Sequence, residues 1–194
     1  MARRTASGRA ERVPTVLTHP VVALALAPWF RSARERWGIV ALGAACTVIP
    51  DIDVVGFRLG VPYAAPLGHR GFTHSLVFAA MLASVLAVSV AWRRTAWAAL
   101  AAWCYFFLCT VSHGLLDALT DGGLGVALLA PFDSGRYFFP WRPLAVSPIG
   151  AAGFFSARGW LVIASELRWV VLPAAVVLFG GLVFRARTKT KAGG

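Results

Sequence analysis

The chain is short of acid, of sulfur and of recognisable nucleophile motifs, and each shortage removes a class of protein. Eight Asp and Glu stand against 19 Lys and Arg in 194 residues, a formal net charge of +11. Only 14% of the residues are charged while 58% are hydrophobic, which is far from an ordinary soluble domain. No nucleic-acid partner is expected, because the basic residues cluster between and after apolar runs, where membrane proteins keep their anchors. Cys46, Cys104 and Cys109 all lie in apolar segments and read as small core residues, not as a disulfide or zinc framework. Walker loop, GxSxG elbow, CxxC pair and internal repeat are all missing. The serine and cysteine nucleophile classes therefore have no specific support.

What the chain has is apolar runs, with a mean hydropathy of +0.69. A basic arm over residues 1–14 and a basic tail over 185–194 flank a membrane-embedded domain, 15–184. Runs 16–30 and 37–49, separated by Arg31, Arg34 and Arg36, fall short of the ~20 residues a full span needs. The first resembles a signal peptide, but His19-Pro20 interrupts it and Pro28 would follow the cleavage point, so it is expected to stay in the mature chain. Runs 76–92, 96–116 and 159–184 are long enough to cross. The expected fold is an all-α integral membrane bundle of about five helices, two short and three full-length.

The stretch from Ser112 to Gly123 places His113, Asp117 and Asp121 four residues apart. Continued helix would put all three on one face; His113 and Asp117, one turn apart, can hold one cation, while Asp121, about 12 Å along the axis from His113, would serve a second ion or the outer shell. Asp51 and Asp53 follow Pro50; in an extended segment both carboxylates would face one site, while a lone pair at this spacing is more commonly an Asx-type turn after a helix. His69 and His74 bracket a glycine-containing turn, with Thr73 as the expected cap of the next helix. Residues 130–150 are rich in proline and aromatics, with Tyr137, Phe138, Phe139 and Trp141 suited to a headgroup-zone belt beside Arg136 and Arg142. Glu166 is a carboxylate near membrane depth, a site candidate by default. If helices 19–30, 37–50, 74–92, 96–117 and 159–184 alternate in direction, the four histidines, Asp51, Asp53, Asp117 and Glu166 meet at one membrane face. Arg31, Arg34, Arg36, Arg93, Arg94 and the tail collect at the other. The basic anchors then place the cluster on the extracytoplasmic side.

The series Thr18-His19, Pro50-Asp51-Ile52-Asp53, His69-Arg70-Gly71-Phe72-Thr73-His74-Ser75, His113-Gly114-Leu115-Leu116-Asp117 and Thr120-Asp121-Gly122-Gly123 resembles the YdjM-type inner-membrane family. Members are described as membrane-bound metal-dependent hydrolases. A more distant similarity to zinc phospholipase C and related zinc-dependent nucleases implies a phosphoester substrate. The resemblance and the residues together imply that His19, Asp51, His69, His74, His113 and Asp117 hold one or two divalent ions, zinc first and manganese second. Asp53, Asp121 and Glu166 would orient water or complete the shell, and Arg70, Arg136 and Arg142 would bind an anionic lipid or headgroup-sized substrate. Two rivals remain: a transporter, whose polar residues would continue to the other face, and a non-catalytic protein stabilised by a closed metal shell. Oligomeric state stays open.

Overall fold

The computed structural model describes residues 18–29, 36–146 and 156–192. The basic arm, Arg31, Arg34 and residues 147–155 lie outside them. Among the described residues the fold is helical, with only two isolated bridges, Thr120 to Leu144 and Val126 to Tyr137. Helix α1 (Pro20–Leu26) runs into a 3-10 turn, Ala27–Trp29, and α2 spans Arg36–Cys46. A second 3-10 turn, Ile49–Val54, leads into α3 (Val55–Arg58). A third, Phe72–His74, precedes the hairpin of α4 (Leu76–Ala91) and α5 (Ala96–Ala118). Helices α6 (Ala157–Glu166) and α7 (Leu172–Ala192) are joined through a π-helical turn, Leu167–Val171.

Local chemistry explains where these helices begin. Pro20 occupies the first turn of α1, where its missing N–H is no loss. Side-chain oxygens of Ser75, Thr95 and Ser156 accept from Phe78, Ala98 and Gly159 at the starts of α4, α5 and α6. The cap of α4 is thus Ser75, two residues later than expected. Thr73 is engaged elsewhere, by a carboxylate described below.

Two helical segments are long and apolar enough to cross a membrane, Ala96–Ala118 and Ala157–Thr188. Trp37–Cys46 and Ile49–Arg58 together make a third if their 41° bend is counted within one span. Helix α4 corrects the expectation of three full-length helices. Its 16 residues reach about 24 Å, short of the ~30 Å hydrocarbon layer.

Packing rests on small residues. Ala79, Ala83, Ala87 and Ala91 form a buried stripe along α4, and small side chains let helix backbones approach closely in lipid. The stripe joins Ala102, Tyr105, Phe106 and Cys109 of α5, Ala23 of α1 and Cys46 of α2 in one core. Tyr105 donates to the Ala23 carbonyl at 3.1 Å, tying α1 to α5. Trp92, Trp97, Trp160 and Phe179 point outward, as lipid-facing side chains do.

Candidate metal centre

The last turns of α5 supply the first two groups. His113 and Asp117 are fully buried, one turn apart. Gly114 between them lets the 3-10 turn of His74 pack directly on the helix: a Cβ there would sit 2.6 Å from the His74 carbonyl oxygen. The Nδ1 of His113 lies 2.7 Å from the Thr47 carbonyl. A carbonyl only accepts, so Nδ1 carries the proton and Nε2 presents its lone pair. That lone pair is 3.2 Å from Asp51 Oδ1 and 3.8 Å from Asp117 Oδ2.

Of the two readings of Asp51 and Asp53, an extended segment and a turn after a helix, the structure takes the turn. Pro50 sits in the first turn of a 3-10 helix, where residues two apart diverge by about 240°. The two carboxylates instead reach opposite edges of the His74 ring. Asp51 Oδ1 is 3.6 Å from Nε2 and Asp53 Oδ2 is 3.2 Å from Nδ1. Asp53 also receives the Thr73 hydroxyl at 2.6 Å, the Arg70 backbone N–H at 3.2 Å and His69 Nδ1 at 2.8 Å.

Asp51, His74, His113 and Asp117 each bring one ligand atom into a group within 4.8 Å of one another; Asp53, His69 and His74 form a second such group. The Nε2 atoms of His74 and His113, both oxygens of Asp51 and Oδ1 of Asp117 are buried without a hydrogen-bond partner, while Asp117 Oδ2 faces Arg70 Nε at 3.0 Å. A converging set of buried lone pairs is the donor chemistry of a cation site. Without a metal, a proton plays that part: burial pulls the His74 pKa down, but Asp117, Asp51 and Asp53 outweigh it and raise it to about 10.

The remaining expected residues divide. His19, ahead of α1, packs against His113 with ring centroids 4.4 Å apart and the planes tilted by 38°, and stands outside both groups. His69 turns its Nδ1 to Asp53 and its edge to Tyr63, 5.3 Å away. Arg70 adopts a left-handed backbone, φ 60°, and is completely buried. Its Nε pairs with Asp117 Oδ2 at 3.0 Å, and Nη1 donates to the Gly122 carbonyl at 2.9 Å. Arg136 donates to the carbonyls of His69, Tyr63 and Ala65, clamping the histidine-bearing loop. Arg142 is exposed over the Phe138 ring.

Asp121 leaves the cluster. Helix α5 stops at Ala118, because the Thr120 hydroxyl takes the Asp117 carbonyl at 2.7 Å, so the four-residue step no longer applies. Asp121 instead accepts from the Val146 N–H and pairs with Arg158 at 2.9 Å on the surface. Glu166 is buried at the start of the π turn and shares a small cavity with His19, Asp117, Thr120 and Leu144. The cavity has room for about one water molecule. Thr47 and Tyr63 were not anticipated: the first acts through its backbone carbonyl, which no side-chain pattern reveals, and the second sits in a loop without a motif.

Helices of spanning length around a buried His/Asp centre define an all-helical membrane protein with the means to bind a metal. The chain belongs to the YdjM inner membrane protein family, whose model matches residues 15–191. It is 38% identical over 175 residues to "Inner membrane protein YbcI" of Escherichia coli (strain K12), covering 90% of this chain and 100% of that one. "Inner membrane protein YdjM" of the same organism is 39% identical over 106 residues, 50% of this chain and 51% of that protein. This is therefore a protein of the inner membrane. No solved structure matches the chain significantly.

Proposed function

We propose that this protein is a membrane-bound metal-dependent hydrolase acting on a phosphoester of lipid or headgroup type. The observation that carries the metal is the set of converging buried lone pairs on Asp51, His74, His113 and Asp117. Imidazole with carboxylate suits zinc first and manganese second. When bound, such an ion supplies Lewis acidity towards water and phosphoryl oxygens.

The chain's own residues supply the rest. The Thr47 carbonyl and Asp53 fix the ring orientations of His113 and His74, so that both direct Nε2 inward. Glu166 lines the one-water cavity beside Asp117 and is placed to take a proton there. Among the three arginines expected to hold an anionic substrate, Arg142 presents its guanidinium to solvent. Arg70 and Arg136 spend theirs on Asp117 and on loop carbonyls. The centre faces the extracytoplasmic side, with the basic tail opposite.

A second reading is supported by burial. Side-chain exposure is 0% at His74, His113 and Asp117 and 8% at Asp51, an enclosure that also suits a purely structural ion. Purified protein should be assayed for metal and then tested against a panel of phosphomonoesters, phosphodiesters and phospholipids. Metal-dependent turnover that is lost in Glu166→Gln with metal retained supports the hydrolase. Full metal occupancy with no turnover on any member leaves the structural ion.

A further inference from the structure

We infer that the centre takes one divalent ion, not two, and that Asp53 is a positioning residue for its histidines and not a ligand. The inference rests on the metal reading above and deepens it. Two groupings of donors share His74, so their geometry alone admits two ions. The hydrogen bonds and the charge do not.

Consider first what Asp53 already holds. Its Oδ1 faces His69 Nδ1 at 2.8 Å, and its Oδ2 faces the Thr73 hydroxyl, His74 Nδ1 and the Arg70 backbone N–H at 2.6, 3.2 and 3.2 Å. An ion bound there would have to displace these donors inside a buried site. The Arg70 amide cannot lose its proton, and an orphaned buried N–H is among the costlier defects a fold can carry. His74 would have to ligate through both ring nitrogens and give up its second proton. In the other grouping no such conflict arises. The Nε2 atoms of His74 and His113 and the oxygens of Asp51 have no hydrogen bonds to surrender, and Asp117 keeps Arg70 on one side.

Charge gives an independent count. Asp51, Asp53 and Asp117 are three carboxylates and Arg70 is one guanidinium, which leaves two negative charges with neutral imidazoles. One divalent ion cancels them. A second would leave two positive charges in a centre almost closed to water, where uncompensated charge is strongly disfavoured.

The test uses the full chain in detergent, stripped of metal and titrated with cobalt(II). Native mass spectrometry counts the ions and visible absorption reports their ligand field. One cobalt per chain at saturation is expected, with no band in Asp51→Asn. Asp53→Asn should still bind one cobalt, about 10–100-fold more weakly, because outer partners of metal-bound histidines typically contribute that much. Its absorption band should also shift. Should Asp53→Asn fail to fold, Thr73→Val removes the shortest bond onto the same carboxylate and should weaken cobalt binding in the same direction. Two cobalt ions per wild-type chain overturn the inference, as does unchanged affinity and spectrum in the Asp53 or Thr73 variant. No cobalt at all overturns both this inference and the metal reading. One cobalt with no phosphoester turnover supports the count while removing the hydrolase.

Discussion

Asp51 and Asp117 face the same proposed ion, yet only Asp117 is answerable to a buried arginine. Replacing each by asparagine should therefore separate the metal from the fold. The Arg70–Asp117 pair is 3.0 Å long with both side chains at 0% exposure. Breaking such a pair by removing one charge costs roughly 3–5 kcal/mol. Asparagine keeps a carbonyl for the Arg70 Nε–H, so the lower end, about 3 kcal/mol, is expected. At ~2–4 °C per kcal/mol for a chain of this size, metal-free Asp117→Asn should melt roughly 6–12 °C below wild type. Asp51 faces the ring nitrogens of His74 and His113, and losing its charge also relieves repulsion from Asp53 and Asp117. Because Asp51 also helps hold the proton on His74, metal-free Asp51→Asn should lose about 1.5 kcal/mol, the low end for a hydrogen bond to a charged group, and so melt above Asp117→Asn. Zinc at a hundredfold excess over its Kd should stabilise wild type by about 2.7 kcal/mol and neither variant appreciably. Intrinsic tryptophan fluorescence during heating, with and without zinc, reads all of this. Equal metal-free melting of the two variants would refute the role given to Arg70, and a preserved zinc shift in either would refute its place in the ion's shell.

Three further outcomes are expected. Raising the pH should strengthen metal binding about tenfold per unit, because His74 gives up a proton and its pKa is raised to about 10. In the metal-free protein, the stability linked to that proton is complete below about pH 6.5 and lost as pH rises through about 10; calorimetric titration over pH 6.5–8.5 checks the binding side. Asp121→Asn should keep full metal content and lose under about 1 kcal/mol, since its pair with Arg158 is 40% and 43% exposed; metal analysis showing a deficit would return Asp121 to the site. For orientation, Leu67→Cys and Thr188→Cys in a background without the native cysteines should label from the extracytoplasmic and cytoplasmic sides respectively, and labelling in the reverse sense would invert the proposed topology.

The convergence of His74, His113, Asp51 and Asp117 was legible because alternation of helices sorts residues by membrane face. That is a coarse geometric property, and it survives errors of several residues at helix ends. What depended on those ends was not legible. Asp121 was lost because the Thr120 hydroxyl terminates α5 after Ala118, four residues before Gly122, the first of the two glycines expected to end it. Thr73 looked like a cap, but Ser75 took that place while Thr73 bonded Asp53. The orientation of Asp51 and Asp53 turned on whether Pro50 opens a strand or a 3-10 turn, and proline fits both. Arg70 resembled a substrate-binding residue because nothing local says that residues 117–123 close over it. Its burial is a tertiary fact, set by the Asp117, Thr120 and Gly122 contacts.

That closure also bears on the transporter alternative. A conducting or alternating path needs polar side chains on both sides of the binding site. From the centre, buried polar groups extend as far as Thr47 and Thr110. Thr110 spends its hydroxyl on the Phe106 carbonyl and Thr47 on that of Ala44. Beyond them the core is Cys109, Phe106, Tyr105 and Ala102 against the alanine stripe of α4, and the Tyr105 hydroxyl is held by Ala23. Among the described residues the polar interior is thus a dead end. Groups gathered at one end of a bundle, sealed beneath by close-packed small side chains, fit chemistry or binding at a single face rather than passage between two.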